Sequence, residues 1–193
     1  MGSSQAVAKT GLRDQLLAAR RRRPLAEVTA GARARTAHLL DSPELARAAS
    51  VAAYVSVGSE PGTTELLDAL RDLDRRVLLP VLRPDGDLDW APYDGPASLA
   101  PAGRGLLEPV TARAGRDAIA TCDVVVVPGL AVDAAGMRLG RGGGSYDRAL
   151  ARVPRGTPVW VLLHEDELDR AVPAEPHDRA VTGAVTESGV RRF

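Results

Sequence analysis

The 193-residue sequence contains a single lysine, Lys9, and a single cysteine, Cys122. One cysteine excludes an internal disulfide framework and fits a reducing compartment; beside the apolar run that follows it, the thiol reads as a small core residue. No excess of charge exists either, with 25 basic and 25 acidic residues, so no overall field draws the chain toward nucleic acid and any anion site must be local. The opening "MGSSQAVAKTGLRDQLLAAR" lacks the apolar stretch of a secretion signal, and no run approaches the ~20 apolar residues of a membrane span. These absences lead to the expectation of a cytoplasmic protein with no membrane, nucleic-acid or obligate protein partner. Aromatic residues do not interleave the block Arg20 to Arg23, which therefore reads as a helix C-terminus whose cations complement the macrodipole, a nucleic-acid patch being the alternative.

What is present is enough apolar sequence, 45% of residues, for one compact domain spanning 1–193, with residues 1–8 expected to be a lead-in without structure. Residues Ala8 to Arg23 and Leu25 to Leu40, rich in Ala, Leu and Arg and separated by Pro24, predict two helices. "ASVAAYVSV", "RRVLLPVL", "CDVVVVPGL", "TPVWVLL" and "GAVTES" predict strands, and the uninterrupted valines of the third are expected on a strand buried on both faces. "TTELLDALRDL", capped by Thr63 or Thr64, and "SYDRALARV" predict helices between them. The stretch Pro84 to Arg116, rich in Pro, Gly and Asp, predicts loops and a weak hairpin at one edge. Strands alternating with helices imply an α/β domain with a mainly parallel sheet.

The densest chemistry lies in "GMRLGRGGGSYDR", Gly136 to Arg148, with five glycines, three arginines and one aspartate. It runs from the strand "DVVVVPG" into the helix "GSYDRAL", and ligands of open α/β sheets gather where strands end. Gly140, Gly142, Gly143 and Gly144 would allow close approach and left-handed backbone, the makings of an anion nest, while Arg138, Arg141 and Arg148 would neutralise phosphate charge. The pattern is neither a Walker A loop, which needs Gly-Lys-Ser/Thr, nor a tight dinucleotide turn. Asp147 would sit near the bound phosphates; it is either an acid favouring a helix N-terminus or a sign of Mg²⁺ between carboxylate and phosphate. Lys9 stands alone among arginines. It is either a chance survivor on a solvated helix or a compact ammonium kept where a planar guanidinium cannot reach a phosphate.

Taken together, "VVVPGLAVDAAGMRLGRGGGSYDR", "KTGLR" on the first helix, "YVSVGSEPGT" at a strand end and "PHDRAVTGAVTE" near the C-terminus closely resemble the motifs, in order, of 5-formyltetrahydrofolate cyclo-ligases. The resemblance implies a single three-layer α/β/α sandwich. It implies that Lys9 and Arg13 hold ATP phosphates and that Arg138, Leu139, Gly140, Arg141, Gly142, Gly143, Gly144, Ser145 and Tyr146 wrap the triphosphate, with Arg141 and Arg138 as the catalytic cations. It further implies that Glu60, with the backbone near Val55, holds the folate pterin, and that Asp147 and Asp178 approach Mg²⁺. Where relatives often carry aromatics, this chain has Val132 and Ser145.

The chemistry so implied is cyclisation of 5-formyltetrahydrofolate at the expense of ATP, which needs no nucleophilic side chain. His38 and His164 have no metal-ligand partner at a useful spacing and read as structural or surface residues; His177 adjoins Asp178. Other readings of the same residues are a catalytically silent folate- or nucleotide-binding paralogue and a sugar-phosphate isomerase of similar architecture, which would need a general base and no ATP.

Overall fold

A computed structural model describes residues 2–173 and 178–193. Its helices are α1 (Gly2–Arg21), α2 (Leu25–Leu40), α3 (Pro43–Arg47), α4 (Thr64–Asp72) and α5 (Ser145–Leu150). Its strands are β1 (Ser50–Ala52), β2 (Arg76–Leu82), β3 (Leu88–Pro92), β4 (Leu99–Pro101), β5 (Leu107–Pro109), β6 (Val124–Pro128), β7 (Ala131–Val132), β8 (Arg138–Leu139), β9 (Val159–Leu162), β10 (Gly183–Thr186) and β11 (Gly189–Arg192).

Seven strands form one sheet in the order β11-β10-β9-β6-β1-β2-β3. Its five inner strands are parallel, and the two edges, β3 on β2 and β11 on β10, are antiparallel. Period-two alternation sorts each inner strand onto two faces. Val51, Val77, Leu79, Val124, Val126, Trp160 and Leu162 meet α2, α3 and α4 through Leu39, Leu45, Leu66, Leu67 and Leu70. On the opposite face Ala52, Leu78, Val125, Val127, Val159 and Val161 meet Ala149 and Leu150 of α5, together with Ile119 and Cys122. The result is the expected three-layer α/β/α sandwich. Each valine of the Val124–Val127 run is almost completely buried, a contribution of roughly 1.5–3 kcal/mol per side chain.

Several local expectations are corrected. Helix α1 begins at Gly2, so residues expected as a lead-in through residue 8 extend the helix backward from its anchored half. Thr63 is the N-cap of α4 but makes no side-chain cap bond; its hydroxyl donates to the Tyr54 carbonyl (2.7 Å) and accepts from the Ser56 N–H (2.9 Å), tying the turn after β1 to the helix. The Pro/Gly/Asp-rich stretch holds more order than a weak hairpin: β3 joins the main sheet, and β4 and β5 make a separate two-stranded ribbon. Arg20 and Arg21 lie in the last turn of α1, as expected of helix-end cations, but Arg20 is in addition buried.

The sheet also opens the site. Strand β1 pairs with β2 only as far as Ala52 and Leu78, after which the two diverge. The Tyr93 N–H bonds the Val77 carbonyl, so alternate residues of β2 turn their amides toward β3, while Pro80 and Leu82 face the gap that β1 leaves. Pro80 has no N–H to leave unpaired there, and the Leu82 N–H is taken by the Glu108 carboxylate of β5 at 2.8 Å. On the other side of β1 the chain order reverses, with β2 and β3 to one side and β6, β9, β10 and β11 to the other, which is the topological position where α/β sheets bind ligands.

Candidate active site

A cavity of about 410 Å³ lies at that position, within the range of small-molecule sites. Most residues singled out from the motifs line it: Lys9 and Arg13 from α1, Val55 and Glu60 after β1, Arg138 to Asp147 from β8 through α5, and Asp178. Arg148, expected to neutralise phosphate charge, does not, because its guanidinium is turned to the Gly86 and Gly143 carbonyls. His177 lies outside the described residues. Residues 9 and 178, or 60 and 141, are distant in sequence and converge only through the fold.

Helix α1 presents Lys9, Arg13, Leu16 and Arg20 at helical spacing along one side. Leu12, Leu16 and Leu17 pack on Leu130, Ala131, Leu139 and Val172, which lays the helix against the start and return of the glycine loop. The Lys9 ammonium meets the Asp178 carboxylate at 2.8 Å, with both side chains nearly buried, so Lys9 is no solvated helix residue. Arg13 donates to the Gly140 carbonyl at 2.9 Å. At the far end of the same helix, the buried Arg20 makes a two-pronged pair with Glu167, 2.7 Å to each oxygen, and donates to the Gly129 carbonyl.

The loop between β8 and α5 is held at both ends. Arg138, buried, donates to the Pro128 carbonyl (3.1 Å) and to Asp147 (2.9 Å), and its guanidinium lies 5.8 Å from the centre of the Tyr146 ring. The Ser145 hydroxyl and the Arg148 guanidinium both donate to the Gly86 carbonyl, fastening α5 to the β2–β3 turn. Gly142 (φ 97°) and Gly144 (φ 66°) take the left-handed backbone that favours glycine. Gly140 is needed for space instead, because a Cβ there would come within 2.7 Å of the Arg138 guanidinium. Arg141 is half exposed, and its Nε reaches the Glu60 carboxylate at 3.2 Å across the cavity. Glu60 in turn accepts from the Val57 N–H at 2.9 Å.

Burial, reinforced by the Glu60 charge, pushes the phenols of Tyr54 and Tyr146 up from their ordinary value, so both are neutral donors in the cavity wall. Cys122 is a buried free thiol whose titration burial raises to about 11, as suits a core residue. His38 lies 3.3 Å from the Glu187 carbonyl, and His164 is buried beside Glu167; neither lines the cavity. Val132 is fully buried in β7 and does not line it either, so that departure from the usual aromatic is a matter of core packing.

Sequence reasoning missed the other half of the lining. Pro80, Leu82 and Leu88 come from β2 and β3, and Arg104, Leu106, Leu107 and Glu108 from the β4–β5 ribbon. No periodicity or motif marks these positions, since the ribbon is placed by the long-range Glu108 bond to β2.

Residues 5–187 match the family described as 5-formyltetrahydrofolate cyclo-ligase. The chain is 46% identical over 142 residues to the 5-formyltetrahydrofolate cyclo-ligase of Mycolicibacterium smegmatis, covering 71% of this chain and 73% of that protein. It is 31% identical over 156 residues to the enzyme of the same name from Escherichia coli, covering 79% and 85%. Among solved structures it superposes on Aquifex aeolicus 5,10-methenyltetrahydrofolate synthetase with a TM-score of 0.81 at 28% identity, over 95% of this chain and 92% of that one. The Mycoplasma pneumoniae synthetase, 18% identical with a TM-score of 0.74, shares the fold over 93% and 98%. With the motifs, the fold and the relatives in agreement, the chain belongs to the 5-formyltetrahydrofolate cyclo-ligase family.

Proposed function

We propose that the chain closes 5-formyltetrahydrofolate to 5,10-methenyltetrahydrofolate with conversion of ATP to ADP and phosphate. The observation that carries this reading is the convergence of Lys9, Arg13, the glycine loop, Glu60 and Asp178 on one cavity at the sheet's switch point. The N5-formyl oxygen cannot leave as oxide. Its attack on the γ-phosphorus displaces ADP and gives an iminium phosphate; N10 then adds to the activated carbon and loses its proton, and phosphate departs with the former formyl oxygen.

Such a reaction asks the protein for position and charge, not for a nucleophile. Lys9, Arg13 and Arg141 supply cations to the triphosphate, and the backbone N–H groups of residues 139–146 line its path. Arg138 fixes the loop by bridging β6 and α5. Glu60 accepts N–H bonds from the pterin edge, with Val55 backbone beside it. Asp147 and Asp178 are the residues that would hold Mg²⁺. They are oxygen donors on the cavity wall, paired with Arg138 and Lys9 respectively, and would share the ion with phosphate oxygens and water. When bound, Mg²⁺ would neutralise charge on the β- and γ-phosphates.

An isomerase would need a proton acceptor at the site. Among the described residues, Glu60, Asp147 and Asp178 are each ion-paired, and no histidine lines the cavity. The buried free thiol of Cys122 suits the cytoplasm, where we place the reaction. The test is absorbance of the methenyl product from purified protein, Mg²⁺ and 5-formyltetrahydrofolate. Product should appear only with ATP and in step with ADP; folded protein that forms none, or forms it without ATP, overturns the reading.

A further inference from the structure

The turn of the β4–β5 ribbon, outside every motif described above, brings Arg104 to the cavity. Between Gly103 and Gly105 its backbone is left-handed, φ 63° and ψ 22°, a region disfavoured for a non-glycine residue. Glycine or asparagine would suit that backbone better, so a long cation there is a departure from local preference.

Arg104 also differs from the other cavity cations. Lys9, Arg138 and Arg141 each meet a carboxylate and Arg13 meets a carbonyl, whereas Arg104 is exposed and makes no ion pair or hydrogen bond among the described residues. Pro80, Leu82 and Leu88 of β2 and β3 and Leu106 and Leu107 of the ribbon give the same cavity an apolar lining. Strands β6 and β3 are three positions apart in the sheet, roughly 14 Å at ~4.8 Å per strand, so the cavity is elongated across the strand ends.

The proposed reaction orients the substrate in this space, and the inference rests on it. The reacting N5 must lie toward the phosphate loop and the pterin toward Glu60. The remainder of a folate, an aromatic ring followed by a glutamate with two carboxylates, then extends along the apolar lining to the ribbon. We propose that Arg104 binds a carboxylate of the folate glutamate tail and sets the enzyme's preference for substrates that carry one. A guanidinium fork matches a carboxylate in two-pronged geometry, and its exposure at the mouth leaves room for longer tails.

The experiment compares 5-formyltetrahydrofolate with the same compound lacking glutamate, 5-formyltetrahydropteroate, in the wild type, Arg104→Ala, Arg104→Gly and Arg104→Lys. Removing the glutamate should raise the wild-type KM about fivefold, the scale of a partly solvated ion pair. Arg104→Ala and Arg104→Gly should raise the KM of the full substrate by the same factor, leave the truncated substrate and ATP unchanged, and so abolish the preference; Arg104→Lys should recover part of it. The glycine variant removes the guanidinium while easing the left-handed backbone, so agreement of the two separates charge from folding. Equal effects on both substrates, or on neither, overturn the assignment. A folded wild type that turns over neither substrate overturns the cyclo-ligase reading and this inference with it.

Discussion

Arg141 of the glycine loop and Glu60 of the turn after β1 are joined at 3.2 Å across the cavity, a contact between the residue offered to nucleotide and the residue offered to pterin. Each substrate therefore competes with a protein side chain for its partner. ATP drawing Arg141 to its phosphates frees the Glu60 carboxylate, so the two substrates should bind cooperatively, by roughly 5- to 150-fold for a coupling of ordinary size. Titration calorimetry with a non-hydrolysable ATP analogue should show tighter folate binding than in its absence. Arg141→Ala should remove that difference by tightening folate binding in the absence of nucleotide, since Glu60 is then free in both states; undiminished coupling in the variant would break the link.

Lys9 is paired to Asp178 in a nearly buried setting, where shape matters as much as charge. A guanidinium is larger and planar, so Lys9→Arg keeps the charge but loses the short contact. Loss of one charge-assisted bond to phosphate, about 1.5–3 kcal/mol, should raise the KM for ATP at least tenfold and leave the folate KM within twofold. A wild-type ATP KM in Lys9→Arg would leave Lys9 a structural partner of Asp178 with no part in holding phosphate.

Arg20 and Glu167 form a buried two-pronged pair that fastens the C-terminal end of α1 to the turn after β9, and through the Gly129 carbonyl to the loop after β6. Removing one member leaves the other as an uncompensated buried charge, at a cost of about 3–5 kcal/mol. Glu167→Ala should lower Tm by roughly 6–20 °C. The double variant Arg20→Met with Glu167→Leu should recover much of that loss, since both charges then leave the interior together. A Tm for Glu167→Ala within a degree or two of the wild type would show the pair to be dispensable.

His164 is held neutral. Burial, then the neighbouring Arg23, Arg35 and Arg20 charges, lower its pKa to about 3, while its backbone is fixed by the Glu167 N–H on its carbonyl (3.0 Å) and by its own N–H on the Glu167 carboxylate (2.9 Å). In the unfolded chain it titrates near 6.5. Between about pH 6.5 and 3 the unfolded state binds a proton that the folded state does not, so this residue's contribution is fully present above pH 6.5 and is lost as pH falls, at up to about 1.4 kcal/mol per pH unit. Urea unfolding across that window should show a shallower acid loss for His164→Asn than for the wild type. Identical slopes would contradict a histidine buried neutral.

Much of this architecture was legible in the sequence because it is written locally. The valine run at 124–127, the Ala- and Leu-rich helices and the glycine loop carry period or composition on their face. Arg20 was not legible, because its partner lies 147 positions away and a run of arginines at a helix end looks the same whether solvated or buried. Asp147 offered a choice between a helix-dipole acid and a metal ligand, and its contact with Arg138, nine residues earlier, belongs to neither pattern. Edge strand β11 is short and half polar, and it is defined only by pairing with β10. Arg104 enters the cavity through a turn whose placement depends on Glu108 reaching β2.

The account stands most directly on the fate of one oxygen atom. If the formyl oxygen attacks the γ-phosphorus, then 5-formyltetrahydrofolate carrying a heavy oxygen isotope in its formyl group must, in a single turnover with unlabelled ATP and water, deliver that isotope to inorganic phosphate. Mass spectrometry of the phosphate should find about one labelled oxygen per methenyl product formed. Phosphate without label, with the isotope recovered in water, would mean that ATP is hydrolysed apart from ring closure and would contradict the mechanism built on this cavity.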